Sequence, residues 1–561
     1  MVNIIENAKS DVKDIVMNAL GILVSEEKIP SEPIPAFAVE IPNDKSHGDF
    51  SCNAALVSAK AFKKSPRDIA ALIVENAVLE GTVFEKIELA GPGFLNFFVN
   101  KSWFAVAVNA VLEEKENYGK TNDGNGKRIL VEFVSANPTG PMHIGNARGG
   151  ALGDCLASLL QYAGYYVERE FYVNDAGNQI NKFGLSLDIR YRQHFGDDIE
   201  MPEDSYHGQD IIDHAKKFAE IYGDKYMNVS EEERRQALVD YALPINIQVL
   251  ENDLLKYRIK FDTWFKESTL HNDGSVKEIV DILTKNGYTY EQDGAVWFKS
   301  SELGDDKDRV LIRANGVPTY SVPDIAYHYN KLVKRNFDIA IDVLGADHHG
   351  YVPRMRAAMK ALGINENRLQ ALICQMVRLI SDGEPVKLSK RSGKAITLAT
   401  LLDEIPMDAA RFFFNLRDAN THFDFDLDLA VEESSKNPVY YVQYAHARIC
   451  SILKKQKEEG NLCKQLPESQ LIFTEPSEFE LIRHIATLPD IISEAAKNYN
   501  PSAITKYLFE LAQHFHKFYD SCPIKGADEA VLQSRLSLCN ATKIVLKNLL
   551  DLLKVEAPEK M

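Results

Sequence analysis

The chain has 561 residues, 45% of them hydrophobic and 26% charged, with a formal net charge of -17. That length exceeds one hydrophobic core and asks for three or four domains, and the residue balance is that of an ordinary globular protein. The acidic excess argues against a generic nucleic-acid binder, though not against an enzyme whose basic residues gather on one face.

In chain order, residues 1–112 form a first unit. It opens on a helix with Ile4, Ala8, Val12, Ile15, Val16 and Leu20 on one stripe. The start lacks the basic-then-apolar layout of a secretion signal, and no apolar run reaches membrane length. Seven cysteines are scattered without a C-x-x-C pair. Free thiols in a reducing cytoplasm are expected, with no membrane partner and no protein-bound metal. A polar stretch at 118–126 is the linker candidate.

Residues 127–435 read as a nucleotide-binding unit. The apolar run from Ile129 to Val134 predicts a buried strand, broken by Pro138, Gly140 and Pro141, and a helix is expected over 147–164. Strand, tight turn and helix N-terminus make an anion site, because free N–H groups and the helix dipole both favour phosphate. Gly145 has no side chain to hold a nucleotide away, and His143 can donate to a phosphate oxygen. Glu132 inside the apolar strand is either an outward-facing strand-end residue or a carboxylate aimed at a cationic substrate. Charged, helical-looking sequence over 188–285 predicts an insertion. Tyr320 and Asp324 add a second acid and an aromatic face.

Residues 338–347 resume the strand pattern and place Asp347, His348 and His349 at a strand's carboxyl end, where open parallel sheets bind ligands. With no third ligand at a zinc spacing, His348 is expected to line a pocket rather than hold a metal. Between Lys387 and Lys394, four cations surround Ser389 and Gly393. Such a loop is usually a solvated turn in isolation, yet Lys387 and Lys390 suit the outer phosphates of ATP. Residues 436–561 read as a helical bundle, with a polar break at 458–478 and a last amphipathic helix over 541–554. Tyr441, Tyr444 and Arg448 share one helix face. An aromatic stripe at that spacing is usually core. Gln443, His446 and Arg448 make this one polar enough to stack unpaired bases and touch phosphates.

The stretch Val131-Glu132-Phe133-Val134-Ser135-Ala136-Asn137-Pro138-Thr139-Gly140-Pro141-Met142-His143-Ile144-Gly145-Asn146 resembles the first signature of class I aminoacyl-tRNA synthetases. Its flank from Ser135 to Pro141 resembles the arginyl-tRNA synthetases in particular. The signature's fourth position, usually His, is Asn146, which donates a hydrogen bond but carries no charge. The loop at 387–391 resembles the second signature, Lys-Met-Ser-Lys-Ser, with Lys387, Ser389 and Lys390 matching and Leu388 and Arg391 departing.

The resemblance runs nearly the whole length. It implies an α/β fold: a doubly wound parallel-sheet catalytic domain at 127–435 with a helical insertion, an N-terminal α+β add-on domain that contacts tRNA, and a C-terminal all-α, anticodon-binding bundle. It also implies a monomer acting on arginine, ATP with Mg2+ and arginine tRNA. Catalysis would rest on His143, Gly145, Asn146, Lys387, Ser389 and Lys390, with Pro138 and Gly140 beside the nucleotide. Guanidinium binds carboxylates in pairs of hydrogen bonds and stacks on aromatic rings, so Glu132, Asp324 and Tyr320 would take the arginine head. Ser135, Asn137, His143 and His348 would complete its pocket. Phe94, Asn96, Tyr441, Tyr444, Arg448 and Met561 would meet tRNA. The competing readings are an adenylate-forming enzyme without tRNA on the same fold, or a silent tRNA-binding paralogue. The N-terminal and C-terminal units speak against the first, and the intact His143, Gly145, Lys387 and Lys390 against the second.

Overall fold

The computed structural model describes residues 3–42, 44–386 and 396–561. The chain opens on the helix Ile4–Ser25, whose buried stripe includes Ile4, Ala8, Val12, Ile15, Val16 and Leu20. That stripe faces a four-stranded antiparallel sheet ordered Val39–Glu40, Phe50–Cys52, Phe94–Val99, Phe84–Ala90.

The central sheet has five parallel strands. They are β1 (Arg128–Glu132), β2 (Tyr166–Val173), β3 (Thr263–Lys266), β4 (Ile339–Gly345) and β5 (Leu369–Cys374), in the spatial order β5-β4-β1-β2-β3. The order reverses between β1 and β4, so the crevice for a ligand opens beyond their carboxyl ends. Helix α1 (Ile144–Tyr162) follows β1 and packs back on the sheet. Gly153 makes the close approach possible, since a Cβ there would stand 2.4 Å from the Phe133 ring.

The helical insertion consists of Gly177–His194, Gln209–Tyr222 and Glu231–Lys256, closed around its own core of Phe183, Leu187, Tyr191, Phe218 and Leu238. The sequence reading of an insertion over 188–285 swallowed strand β3. That strand has only four residues and sits half-buried at the sheet edge, too short for its period to show. A separate three-stranded sheet over Thr289–Gln292, Ala295–Phe298 and Arg309–Ile312 was likewise not legible. Helix α2 (Ser321–Tyr329) then runs into a π-helical turn over Asn330–Lys334 and on to β4.

The C-terminal bundle contains α3 (Pro438–Glu458), the helices Pro476–Ala486, Leu488–Lys497 and Ser502–Ser521, and α4 (Glu529–Leu552). The last helix begins twelve residues before the expected 541, because its first half is buried on several sides and shows no clean amphipathic stripe. A buried charge cluster ties this bundle to α1. Asp154 of α1 accepts from Arg169 at 2.8 Å and from Arg411 at 2.6 Å, and Arg411 also donates to the carbonyls of Leu553 and Tyr257. Removing the acid strands two buried guanidinium groups. Asp154→Ala should therefore lower stability by roughly 3–5 kcal/mol, read as a lower urea midpoint. An unchanged midpoint would show the cluster to be energetically idle.

Candidate active site

After β1 the chain turns abruptly. Ser135 N–H donates to the Phe133 carbonyl at 2.9 Å across Val134, whose φ is +68°, and Ser135 itself has φ +39°. A β-branched residue in that region is an outlier, and the three-residue turn it closes is a strained one. The turn is held from several sides. The Pro138 carbonyl accepts from Asn246 of the insertion at 3.0 Å, Leu398 N–H donates to the Met142 carbonyl at 3.0 Å, and His143 pairs with Thr397. Helix α1 then starts at Ile144, three residues before the sequence suggested, with His143 as its N-cap and Asn146 N–H bonded to the His143 carbonyl.

A cavity of about 1120 Å³ opens over the carboxyl ends of β1 and β4. Its walls bring together Glu132, Ser135, Asn137, Gly140, His143, Gly145, Asn146, Tyr320, Asp324 and His348, spread over more than 200 residues of chain. Gly145 faces open space, as a Cβ there would meet nothing within 4 Å. Pro138 departs from expectation. It is buried under the loop and lies outside the cavity wall, its carbonyl engaged by Asn246. Lys387, Ser389 and Lys390 lie outside the described residues. Among the described residues no three His, Cys, Asp or Glu converge as a metal site would require.

The electrostatics of the cavity floor follow from strand register. Asp342 on β4, Glu132 on β1 and Glu170 on β2 are direct neighbours across the sheet, so three carboxylates stand in one row. Lys331, with no exposed side-chain surface, sits 2.5 Å from Glu132 Oε2 and 2.8 Å from Asp342 Oδ1. Burial alone would lower its pKa, but Asp342, Glu132 and Glu170 raise it instead. His328 reaches Asp342 Oδ2 at 2.7 Å, and Arg335 reaches Glu170 at 2.5 Å.

Glu132 thus reaches the cavity as a carboxylate already paired with Lys331. Ser135 Oγ occupies its other oxygen at 2.8 Å. Asp324 is different. Among the described residues it has no ion-pair partner, and burial together with nearby Glu267 and Glu132 pushes its pKa up to about 7, against the pull of His328 and Arg354. A buried acid with no cation is costly, and a cation seated beside it relieves that cost.

Tyr320 stands 67% exposed at the cavity mouth, where its hydroxyl accepts from Arg354 at 3.3 Å. His348 is half-exposed, 3.7 Å from Asp347 and edge-on to Tyr351.

The residues expected to meet tRNA divide. Phe94 is 39% and Met561 47% exposed. Asn96 is buried, with its Oδ1 accepting from Ser51 at 3.0 Å. On α3, Tyr441 packs against Phe509 and His516, and Tyr444 stacks on Tyr440. Arg448 lies between the Tyr444 and Tyr519 rings, its guanidinium 4.8 and 5.0 Å from their centres. Gln443 and His446, read as base-contacting groups, instead hold the chain end, donating to the Glu556 carbonyl at 3.0 Å and bonding the Pro558 carbonyl at 2.8 Å.

Sequence reasoning missed Tyr172, Arg354 and Gln375 in the cavity wall, and Lys331, His328 and Asp342 behind it. Two signals were present. Asp342 interrupts an apolar strand as Glu132 does, and Asp324, His328, Lys331 and Arg335 recur at helical spacing.

Three family profiles cover the chain. They are the arginyl tRNA synthetase N-terminal domain at residues 6–99, the catalytic domain of class I (R) tRNA synthetases at 107–434, and the DALR anticodon binding domain at 442–561. The arginine–tRNA ligase of Caldanaerobacter subterraneus subsp. tengcongensis is 51% identical over the full length of both chains, and that of Bacillus subtilis 46% over 99% of this chain and all of its own. The arginyl-tRNA synthetase structures of Thermus thermophilus and Plasmodium falciparum share the fold. Their TM-scores are 0.73 and 0.72 at 22% and 20% identity, covering 97% and 99% of this chain and 99% of each of theirs. No described helix is long and apolar enough to cross a membrane. With the catalytic profile spanning more than half the chain and full-length relatives near 50% identity, the chain belongs to the arginyl-tRNA synthetases, class I ligases that use ATP to charge tRNA with arginine.

Proposed function

We propose that the cavity over β1 and β4 seats arginine with its guanidinium on Asp324, and ATP against the N-terminus of α1. The half-buried Asp324, which has no ion-pair partner among the described residues, is the observation that carries this reading. Glu132 keeps spare lone pairs on both oxygens and serves as a second acceptor, and Tyr320 forms a flat wall. Ser135, Asn137, His143 and His348 surround the rest of the amino acid.

His143, Gly145 and Asn146 receive the phosphates at the N-terminus of α1, whose dipole favours anions. Lys387, Ser389 and Lys390 complete the phosphate site, with Gly140 at its edge and Pro138 shaping the loop from below. Mg2+ arrives with ATP, held mostly by phosphate and water. The arginine carboxylate attacks the α-phosphate and pyrophosphate leaves. A ribose hydroxyl at the tRNA terminus then displaces AMP. No side-chain nucleophile is needed, so catalysis is positioning and charge stabilisation.

Residues 1–112 and 436–561 flank the catalytic unit 127–435 as tRNA-contacting units. Phe94 serves the first, and Tyr441, Tyr444, Arg448 and Met561 the second, as a monomer in the cytoplasm.

Three outcomes follow. Asp324→Asn should raise the KM for arginine at least ~100-fold while the KM for ATP stays near the parent value, and the parent should reject citrulline by roughly 10⁴ or more, since the neutral head leaves buried acids uncompensated. Activation of citrulline at a rate near that of arginine would overturn the pocket. The second outcome concerns pH. Only the ionised Asp324 binds the cation, so kcat/KM for arginine should climb with pH toward about 7 and level off above it. That limb should vanish in Asp324→Asn. The third concerns the signature's variant position. Asn146→His should keep most of kcat, whereas Asn146→Ala should lose ~10²-fold or more, on the scale of one transition-state donor. An alanine variant as fast as the parent would leave Asn146 no share in catalysis.

A further inference from the structure

Behind the cavity wall lies a layer of groups that do not line it, Lys331 among them. Lys331 enters from the π-helical turn at Asn330–Lys334, which displaces its side chain from the regular helical path. Its ammonium has a complete cage: Glu132 Oε2 at 2.5 Å, Asp342 Oδ1 at 2.8 Å and the face of the Tyr327 ring at 4.0 Å. Tyr327 is itself fixed by its hydroxyl's bond to Glu170 at 2.7 Å, and Asp342 by His328. Of the row Asp342, Glu132 and Glu170, only Glu132 reaches the cavity. Its two oxygens are pinned, one by Lys331 and one by Ser135 Oγ.

Resting on the placement of arginine proposed above, we infer that Lys331 is a positioning residue for the amino acid. It holds Glu132 in one orientation and balances the charge behind it, so that the carboxylate left to receive the guanidinium is Asp324. Without Lys331, Glu132 would stand in the cavity wall with no cation against it, beside an Asp342 met only by His328. Glu132 would then swing toward any available cation, including the guanidinium in a wrong pose. A point-like ammonium suits this task because it bridges two carboxylates of adjacent strands within one buried cage.

The consequence is non-additivity. If Lys331 acts through Glu132, losing both should cost little more than losing Glu132 alone. Lys331→Met keeps the bulk and removes the charge. It should raise the KM for arginine by about tenfold or more, the scale of one charge-assisted hydrogen bond, with the KM for ATP unchanged. In a Glu132→Gln background the same change should alter the arginine KM less than threefold or so.

Aminoacylation kinetics of the full-length enzyme with arginine tRNA measure all four forms. A merely structural role would lower the active fraction, and with it kcat, without moving KM. Equal effects in both backgrounds, or an unchanged arginine KM, would overturn the inference. Should Lys331→Met fail to fold, Lys331→Met/Asp342→Asn removes a cation and an anion together and keeps the buried charge balanced. It too must show the raised arginine KM. Asp324→Asn separates the two readings. If it leaves arginine binding intact, the site itself is misplaced and the inference falls with it. If it cripples binding while Lys331→Met does not, the role of Lys331 alone is refuted.

Discussion

The site is organised by the row of three acids, Asp342, Glu132 and Glu170, that parallel register sets side by side across β4, β1 and β2. Adjacent strands lie only about 4.8 Å apart, so in a poorly solvated interior these charges would drive the sheet apart or protonate. One helix answers the whole row. His328, Lys331 and Arg335, spaced along one face of α2 and its π-helical extension, meet Asp342, Glu132 with Asp342, and Glu170 in turn. The strand carboxylates and the helical groups that meet them cannot be understood separately, because neither set is tolerable in the core without the other.

Asp324 belongs to the same helical face, one turn before His328, and it is where the match runs out. The helix brings more acid to the cavity than the layer behind it neutralises. The surplus sits at the wall, raised toward neutral pH by burial and like charges. In the proposed pose, a guanidinium seated beside Asp324 removes a penalty that the empty pocket carries, and a neutral or misplaced head leaves that penalty standing.

Much of the fold could be read from the sequence, and for identifiable reasons. The apolar run Ile129–Val134 followed by Pro138, Gly140 and Gly145 carries a strand, a turn and a helix start in local chemistry alone, and the structure places all three there. The stripe of the first helix was equally plain. What escaped depended on contacts between distant segments. Strand β3 is too short to show a period, and the γ-like turn at Val134 runs against that residue's own preference. Glu132 is paired by Lys331, some 200 residues away in sequence, and by Ser135, whereas Asp324 has no ion-pair partner among the described residues. The aromatic face of α3 illustrates the same limit. Its spacing showed which residues share a face, but not that Gln443 and His446 are spent on the chain end.

That chain end has a structural consequence. Gln443 of α3 donates to Asp408 and to the Glu556 carbonyl, and Arg258 donates to Asp408, Glu556 and the Lys554 carbonyl. Three residues beyond Asp408, Arg411 grips Asp154 in the middle of α1, the helix whose N-terminus faces the cavity. The Arg411–Asp154 link is buried, the contacts to Asp408 are half-buried and those to Lys554 and Glu556 are exposed, so the chain end is tied to the catalytic unit at several points. A helix held this firmly at its middle keeps its first turn aimed at one point. The phosphate site proposed at that turn would draw on this constancy. The bundle would then contribute to the site without touching a substrate, by fixing the helix on which the phosphates are proposed to sit.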